Sequence, residues 1–274
     1  MEKADIRVLI AAYGPDALER IASLPHPRAQ GVAYFVSWQR HQEAPVPRSL
    51  AEREDFMIFR EESVGLCNNR NALLKYAGDG IALISDDDLA YASDHFENVR
   101  KAFGDNPECH ILAFRYASPD YPKRYPGKGF DLKKPEKGYF VTSMEIALNA
   151  GLIKREFGSM KTVEFHPAFG VNGTLFGSGE EDILICRLLR GGFKGRYIPA
   201  EICVNTESTT SERTGDTEGF IQTKGAVMTY ISPLTWPLRM LTHAFRSDLP
   251  LLKYCRWWLA GVRKAHKNGV FRCY

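Results

Sequence analysis

Residues 81–91, IALISDDDLAY, set the tightest limit on what this chain can fold into. Ile81, Leu83 and Ile84 fall within four residues, and three consecutive carboxylates follow at once. A short, nearly unbroken aliphatic run bounded by turn signals is how a strand buried on both faces reads, and such strands belong to parallel sheets. Ligands of open α/β sheets bind just beyond the carboxyl ends of those strands. Three neighbouring like charges repel, and a hard divalent cation is the simplest partner that would make them favourable. Asp86, Asp87 and Asp88 are therefore candidate metal ligands, set against the plainer reading of Asp as a turn or cap residue.

The flanking sequence repeats the strand signal. Residues 6–12 (IRVLIAA) form a second aliphatic run that ends at the turn signal Gly14-Pro15, and Asp16 is placed to cap a helix over 17–23. Residues 32–37 (VAYFVS) and 56–59 (FMIF) predict two more strands. Residues 65–77 predict a loop leading into a helix, with Asn68 or Asn69 as N-cap and Gly78 as the stop. Asp94 and Glu97 have capping-box spacing for a helix to about 103, and 109–114 predicts a strand. Strand and helix alternating in this way predict a doubly wound, mostly parallel sheet flanked by helices. Residues 116–137, rich in Tyr, Pro and Lys/Arg, predict a long ordered loop, either a lid or a solvated surface loop. Residues 206–219 are polar and predict a mobile loop.

The glycine-rich stretch 170–179 (GVNGTLFGSG) matches neither dinucleotide nor phosphate-loop patterns, but it leads into Glu180-Glu181-Asp182 at the start of a helix through 190. Acids in a first turn complement the helix dipole, as Arg187 and Arg190 do near its end. With a glycine-rich approach beside it, one of these carboxylates is a candidate general base. Residues 194–198 and 201–204 predict two short strands around Pro199. The sequence has no H-E-x-x-H, no G-x-S-x-G and no nucleic-acid-binding signature. Six irregularly spaced cysteines, with no C-x-x-C, predict free thiols in a reducing, cytoplasmic setting, with Cys109, Cys186 and Cys203 buried. No apolar run approaches the roughly 20 residues that span a bilayer.

Residues 234–274 carry eight Lys or Arg against the single acid Asp248, interleaved with Leu251, Leu252, Trp257, Trp258 and Leu259. This predicts a basic helical extension that either meets an anionic membrane surface or packs its Trp face on the domain. The expected division is 1–232 for the α/β domain and 233–274 for the extension.

Several of these pieces, in order, resemble the family 2 glycosyltransferases of the GT-A fold. They are a first strand ending in Ala12-Tyr13, then Asn69-Arg70-Asn71-Ala72, Ser85-Asp86-Asp87-Asp88, Gly179-Glu180-Glu181-Asp182 with Arg187, and Tyr197-Ile198-Pro199. The likeness spans roughly residues 5–210. It implies a nucleotide-sugar donor, a UDP-sugar for preference, with Mn²⁺ or Mg²⁺ on its diphosphate and inversion at the anomeric carbon. The acceptor implied is a hydroxyl of a saccharide or lipid-linked saccharide, in the synthesis of surface polysaccharide or glycoconjugate. Ala12, Tyr13, Arg70, Asp86 and Asp87 would hold the donor. Asp182, with Glu181 beside it, would supply the base. The metal register stays open between Asp87, with Ser85 in the first acidic position, and the pair Asp86 and Asp88. Two positions depart from the pattern: Ser37-Trp38-Gln39 replaces acids that often hold the nucleobase, and Asn205 or Glu207 lies where a histidine is common. A sugar nucleotidyltransferase would want a basic glycine-rich stretch that 11–14 lacks. A non-enzymatic sugar- or cation-binding module would bind metal without turnover.

Overall fold

In chain order, a computed structural model describes residues 4–119, 122–206 and 217–271. β1 (Ile6–Tyr13) and β2 (Val32–Gln39) pair in parallel, with α1 (Ala17–Ser23) between them. Gly14 sits at φ +89°, which turns the chain off β1, and its carbonyl accepts the Trp38 indole N–H. α2 (Arg48–Ala51) leads to β3 (Phe56–Glu61), parallel to β2. α3 (Leu66–Leu74) leads to β4 (Ile81–Asp86), parallel to β1 on its other side. The remaining elements are β5 (Leu89–Ala90), α4 (Ser93–Asp105), β6 (Ile111–Ala117), β7 (Phe130–Asp131), β8 (Ile146–Asn149), α5 (Ala150–Phe157), α6 (Glu180–Arg190), β9 (Gly195–Asn205), α7 (Glu218–Ile231), α8 (Trp236–Ala244) and α9 (Leu251–Lys267). Among the described residues nine strands form one mixed sheet in the order β3-β2-β1-β4-β8-β6-β9-β5, with β7 also on β9. β8 runs antiparallel to both neighbours, so the two parallel blocks meet there.

Local expectations fail where a tertiary partner outbids a local one. α3 begins at Leu66, so neither Asn68 nor Asn69 caps it. Asn69 instead gives its amide N–H to the Ala12 carbonyl at 3.0 Å, and Asn68 gives its own to Val64. Asp16 occupies the N-cap of α1 but makes no side-chain cap bond. α4 is capped by His95 Nδ1, which accepts the Ala92 N–H, while Glu97 turns to Arg100. Pro199 does not divide two strands. β9 runs through it, and the pairing with β6 shifts register around Arg115, where a bulge takes up the residue that cannot donate. Tyr116 lies within β6 rather than opening a loop, and Phe130 lies in β7; Tyr121 falls outside the described residues. So does most of the expected mobile loop, residues 207–216. Cys109 and Cys203 are buried free thiols, whereas Cys186 is only half-buried.

The chain forms two compact units that interleave in sequence. The first comprises 1–64, 68–164 and 188–208, and the second 65–67, 165–187 and 209–274. In the first, one face of the sheet buries Ile6, Val8, Tyr34, Trp38, Phe96, Leu112 and Phe114 in a single cluster. His26 sits beside it, packed edge-on to Tyr34 and Phe56, with Nδ1 3.0 Å from the Leu24 carbonyl. Burial depresses its pKa to about 4, only partly offset by the Leu24 carbonyl, with Arg53 adding to the fall. The unfolded chain therefore binds the extra proton between the free value of 6.5 and about 4. Stability from this site should be complete above the upper value and lost as pH falls toward the lower, by roughly 3 kcal/mol in all. Thermal melts across that window check it: a His26→Asn chain should lose this part of the acid slope, and an unchanged slope would place it elsewhere.

In the second unit α7 and α9 pack closely. A Cβ at Gly225 would strike the Trp258 carbonyl, and one at Gly261 the Gln222 carbonyl, so only glycine allows this approach. Two clusters hold the unit, one around Phe169, Phe176, Ile183 and Tyr230, the other around Ile221, Tyr254, Trp258 and Val262. Trp258 is fully buried, so the tail's indole packs inward.

Candidate functional site

β4 delivers the acidic turn at the carboxyl end of the first parallel block, with Asp86 in register with Ala11 of β1. Ser85 is fully buried and accepts a hydrogen bond from the Tyr91 hydroxyl at 2.9 Å. The three aspartates then part company. Asp86 is gripped by Arg70 Nη2, at 2.8 and 3.2 Å from its two oxygens, and its Oδ2 also accepts the Ser143 hydroxyl at 3.3 Å. Arg70 donates to Ser143 Oγ at 2.7 Å and is itself only 2% exposed. Asp87 uses Oδ2 alone, for Arg20 Nη2 at 2.9 Å and the Tyr13 N–H at 3.1 Å. The Asp88 carbonyl accepts both the N–H and the hydroxyl of Thr206, which fastens the turn to the end of β9.

Burial pushes the Asp87 carboxyl above its ordinary value, against the pull of Arg20 and the Tyr13 N–H, and the Asp86 charge adds to the rise. An added cation would favour the ionised form. Among the described residues no group of three or more Asp, Glu, His or Cys is arranged to hold a metal ion. Hard cations of the Mg²⁺ type need only one or two protein carboxylates when a phosphate supplies the rest. Asp87 fits that smaller demand, because its Oδ1 makes no hydrogen bond to any described residue.

Tyr13 is 48% exposed at the mouth of the same turn, while Ala12 is buried and held by Asn69. Gln39 is buried, and its amide donates to Ser63. A second polar cluster, absent from the sequence reading, lies two residues beyond Ser143. Glu145 is fully buried and accepts from Lys123 Nζ at 2.7 Å, from the Tyr125 hydroxyl and from the Thr142 N–H. Burial raises the Glu145 pKa, opposed chiefly by Lys123. The spacing Thr142 to Glu145 is a capping-box signature and was the available signal. Arg20 and Ser143 carried none, since their partners are 67 and 57 residues away.

In the second unit α6 starts directly after Gly179, whose φ is +88° and whose carbonyl accepts the Ile183 N–H. Glu180 turns inward, buried, and a Cβ at Gly170 would press on its carboxyl. Glu181 is half-buried and Asp182 exposed, both in the first turn, where the helix N-terminus favours a negative charge.

Residues 49–157, which include α3, Arg70 and the acidic turn, match the sequence model of glycosyl transferase family 2. No curated protein sequence matches the chain. Among solved structures, S. aureus TarS 1–349 is similar over 96% of this chain and 72% of its own, with 13% identity and a TM-score of 0.54. Its complex with UDP-GlcNAc gives 12% identity over 96% and 73%, with a TM-score of 0.53. The mannosyltransferase PcManGT from Pyrobaculum calidifontis, in complex with GDP-Man and Mn²⁺, gives 16% identity over 96% and 73%, with a TM-score of 0.51. At these identities the likeness shows the fold. The segment that matches the family model sits in a GT-A architecture, a mostly parallel mixed sheet flanked by helices with a helical C-terminal extension.

Proposed function

We propose that the protein is an inverting glycosyltransferase that moves a sugar from a nucleotide-sugar donor, a UDP-sugar, to a hydroxyl of a saccharide or lipid-linked saccharide on the cytoplasmic side of a membrane. The observation that carries this reading is the acidic turn at the end of β4, in the family 2 segment, with Arg70 and Arg20 fixing two of its carboxylates. The bound UDP-GlcNAc of TarS and the GDP-Man of PcManGT support a nucleotide-sugar donor.

In this reading Tyr13, Ala12 and the Arg70–Asp86 pair line the donor site, and Asp87 is the first residue to hold a divalent cation, with Asp88 beside it. Such a cation, Mn²⁺ or Mg²⁺, would neutralise charge on the diphosphate; the Mn²⁺ of PcManGT supports that part. The acceptor oxygen forms a bond to the anomeric carbon as the bond to the diphosphate oxygen breaks. The electron pair leaves with the nucleoside diphosphate. The hydroxyl proton passes to Asp182, whose carboxylate becomes basic enough only as bond formation acidifies the donor. Glu181 is the neighbouring candidate for that role. By analogy with inverting sugar hydrolysis, attack from the opposite face inverts the carbon.

A panel of nucleotide sugars, scored for release of nucleoside diphosphate with and without EDTA, tests this directly. Release from one donor class, suppressed by EDTA and restored by Mn²⁺ or Mg²⁺, is the expected result. Release unaffected by EDTA would remove the cation, and no release from any donor with acceptors present would remove the transfer reading.

A further inference from the structure

α8 has two apolar faces, only one of which the described residues cover. Trp236, Met240 and Ala244 recur four apart and pack on the Ile221–Tyr254–Trp258–Val262 cluster. Leu238, Leu241 and the C-cap residue Phe245 recur at i, i+3 and i+7, a single stripe on another side of the helix, and Leu234 lies in the turn just before it. Leu234, Leu238, Leu241 and Phe245 are 92, 67, 40 and 75% exposed. Leu252, in the first turn of α9, is 85% exposed. Single exposed leucines are ordinary, but a continuous run of them marks an interaction surface.

The charge around the stripe is of one sign. Arg239 is exposed on the flank of α8, about a third of a turn from the centre of the stripe, and Arg246 is exposed in the turn just past its end. On α9 the exposed line reads Leu252, Arg256, Arg263, Lys267. Between 232 and 271 the one acid is Asp248. No helix among the described residues is long and apolar enough to cross a membrane.

We infer that the outer face of α8 and the head of α9 dock on the surface of an anionic lipid bilayer, lying in its interfacial plane. Apolar side chains at the centre with Lys and Arg at the edge match a hydrocarbon boundary beneath a layer of phosphates. A second copy of the same face would bring basic edges together with no acid but Asp248 to pair them, so charge complementarity favours lipid. The contact also differs from the one the tail's composition suggested: Trp258 is buried in the unit's core, and the inserting groups are the leucines and Phe245 of α8. Nothing in this inference depends on the transfer reading, because binding is measured without donor or acceptor.

Co-sedimentation of the full chain with phosphatidylcholine vesicles, with and without phosphatidylglycerol, tests it. The chain should pellet with the anionic vesicles and stay in solution with the neutral ones. Leu238→Ser/Leu241→Ser/Phe245→Ser should bind at least about tenfold more weakly. Arg239→Gln/Arg246→Gln should lose roughly fivefold per charge. Should the triple variant fold poorly by circular dichroism, Leu234→Asp/Leu252→Asp replaces it, since both residues are almost wholly exposed. Equal binding of wild type and variants, or no binding to anionic vesicles, would overturn the inference. So would a wild-type chain that self-associates in sedimentation velocity while the triple variant is monomeric, which would assign the face to a second copy.

Discussion

Asp182→Asn is expected to lower transfer by roughly 10²- to 10⁴-fold, the range a positioned general base contributes. Folding should barely change. Asp182 is exposed in the first turn of α6, and losing its charge at a helix N-terminus costs about 0.3–1 kcal/mol. The measurement is steady-state turnover with the donor found in the panel, beside a thermal melt of the same protein. A fall in kcat with an unchanged melt assigns the proton transfer to Asp182. Turnover at the wild-type rate would remove that role, and a collapse in Glu181→Gln instead would move it one residue back.

Arg70→Met should be the most damaging change in the first unit. It leaves Asp86 beside Asp87 with its main partner gone and Ser143 Oγ without its donor, in a place where Arg70 is almost fully enclosed. Removing one member of a buried pair costs about 3–5 kcal/mol, and the partial exposure of Asp86 argues for the lower end. For a chain of this size that is roughly 6–12 °C in melting temperature. The double variant Arg70→Met/Asp86→Asn should recover part of the loss, because it removes the stranded charge as well. If the single variant melts with the wild type, the pair carries no structural load and Arg70 matters only for ligand.

How much of this could be read in advance follows from the range of each interaction. β1, β2, β3 and β4 were legible because a strand buried on both faces must be aliphatic almost throughout, whatever it packs against. The acidic turn was legible for the same reason, since its charge stands out at the end of such a strand. The division of labour within it was not. Asp86 belongs to Arg70, and Asp87 to Arg20 and the Tyr13 N–H, partners 16 to 74 residues away whose approach depends on the finished sheet. α3 failed at its first residues for a related reason, as Asn69 was needed by the Ala12 carbonyl. The tail was legible as basic and amphipathic, but not which face would be covered, because Gly225 and Gly261 determine that by letting α7 and α9 close up.

The pairing of β9 also bears on how the protein is made. β9 is the parallel neighbour of β6 and the antiparallel neighbour of β5, and His110 meets Lys194 across 84 residues of chain. Such long closures are slow, because their entropy must be given up before any contact repays it. During synthesis the N-terminal block β1–β4 can assemble while the edge of β6 still waits for residues near 200. The Asp88 carbonyl is pinned only when Thr206 arrives. The acidic turn is therefore expected to gain its final shape late, and a chain interrupted before β9 would present an open sheet edge to its neighbours.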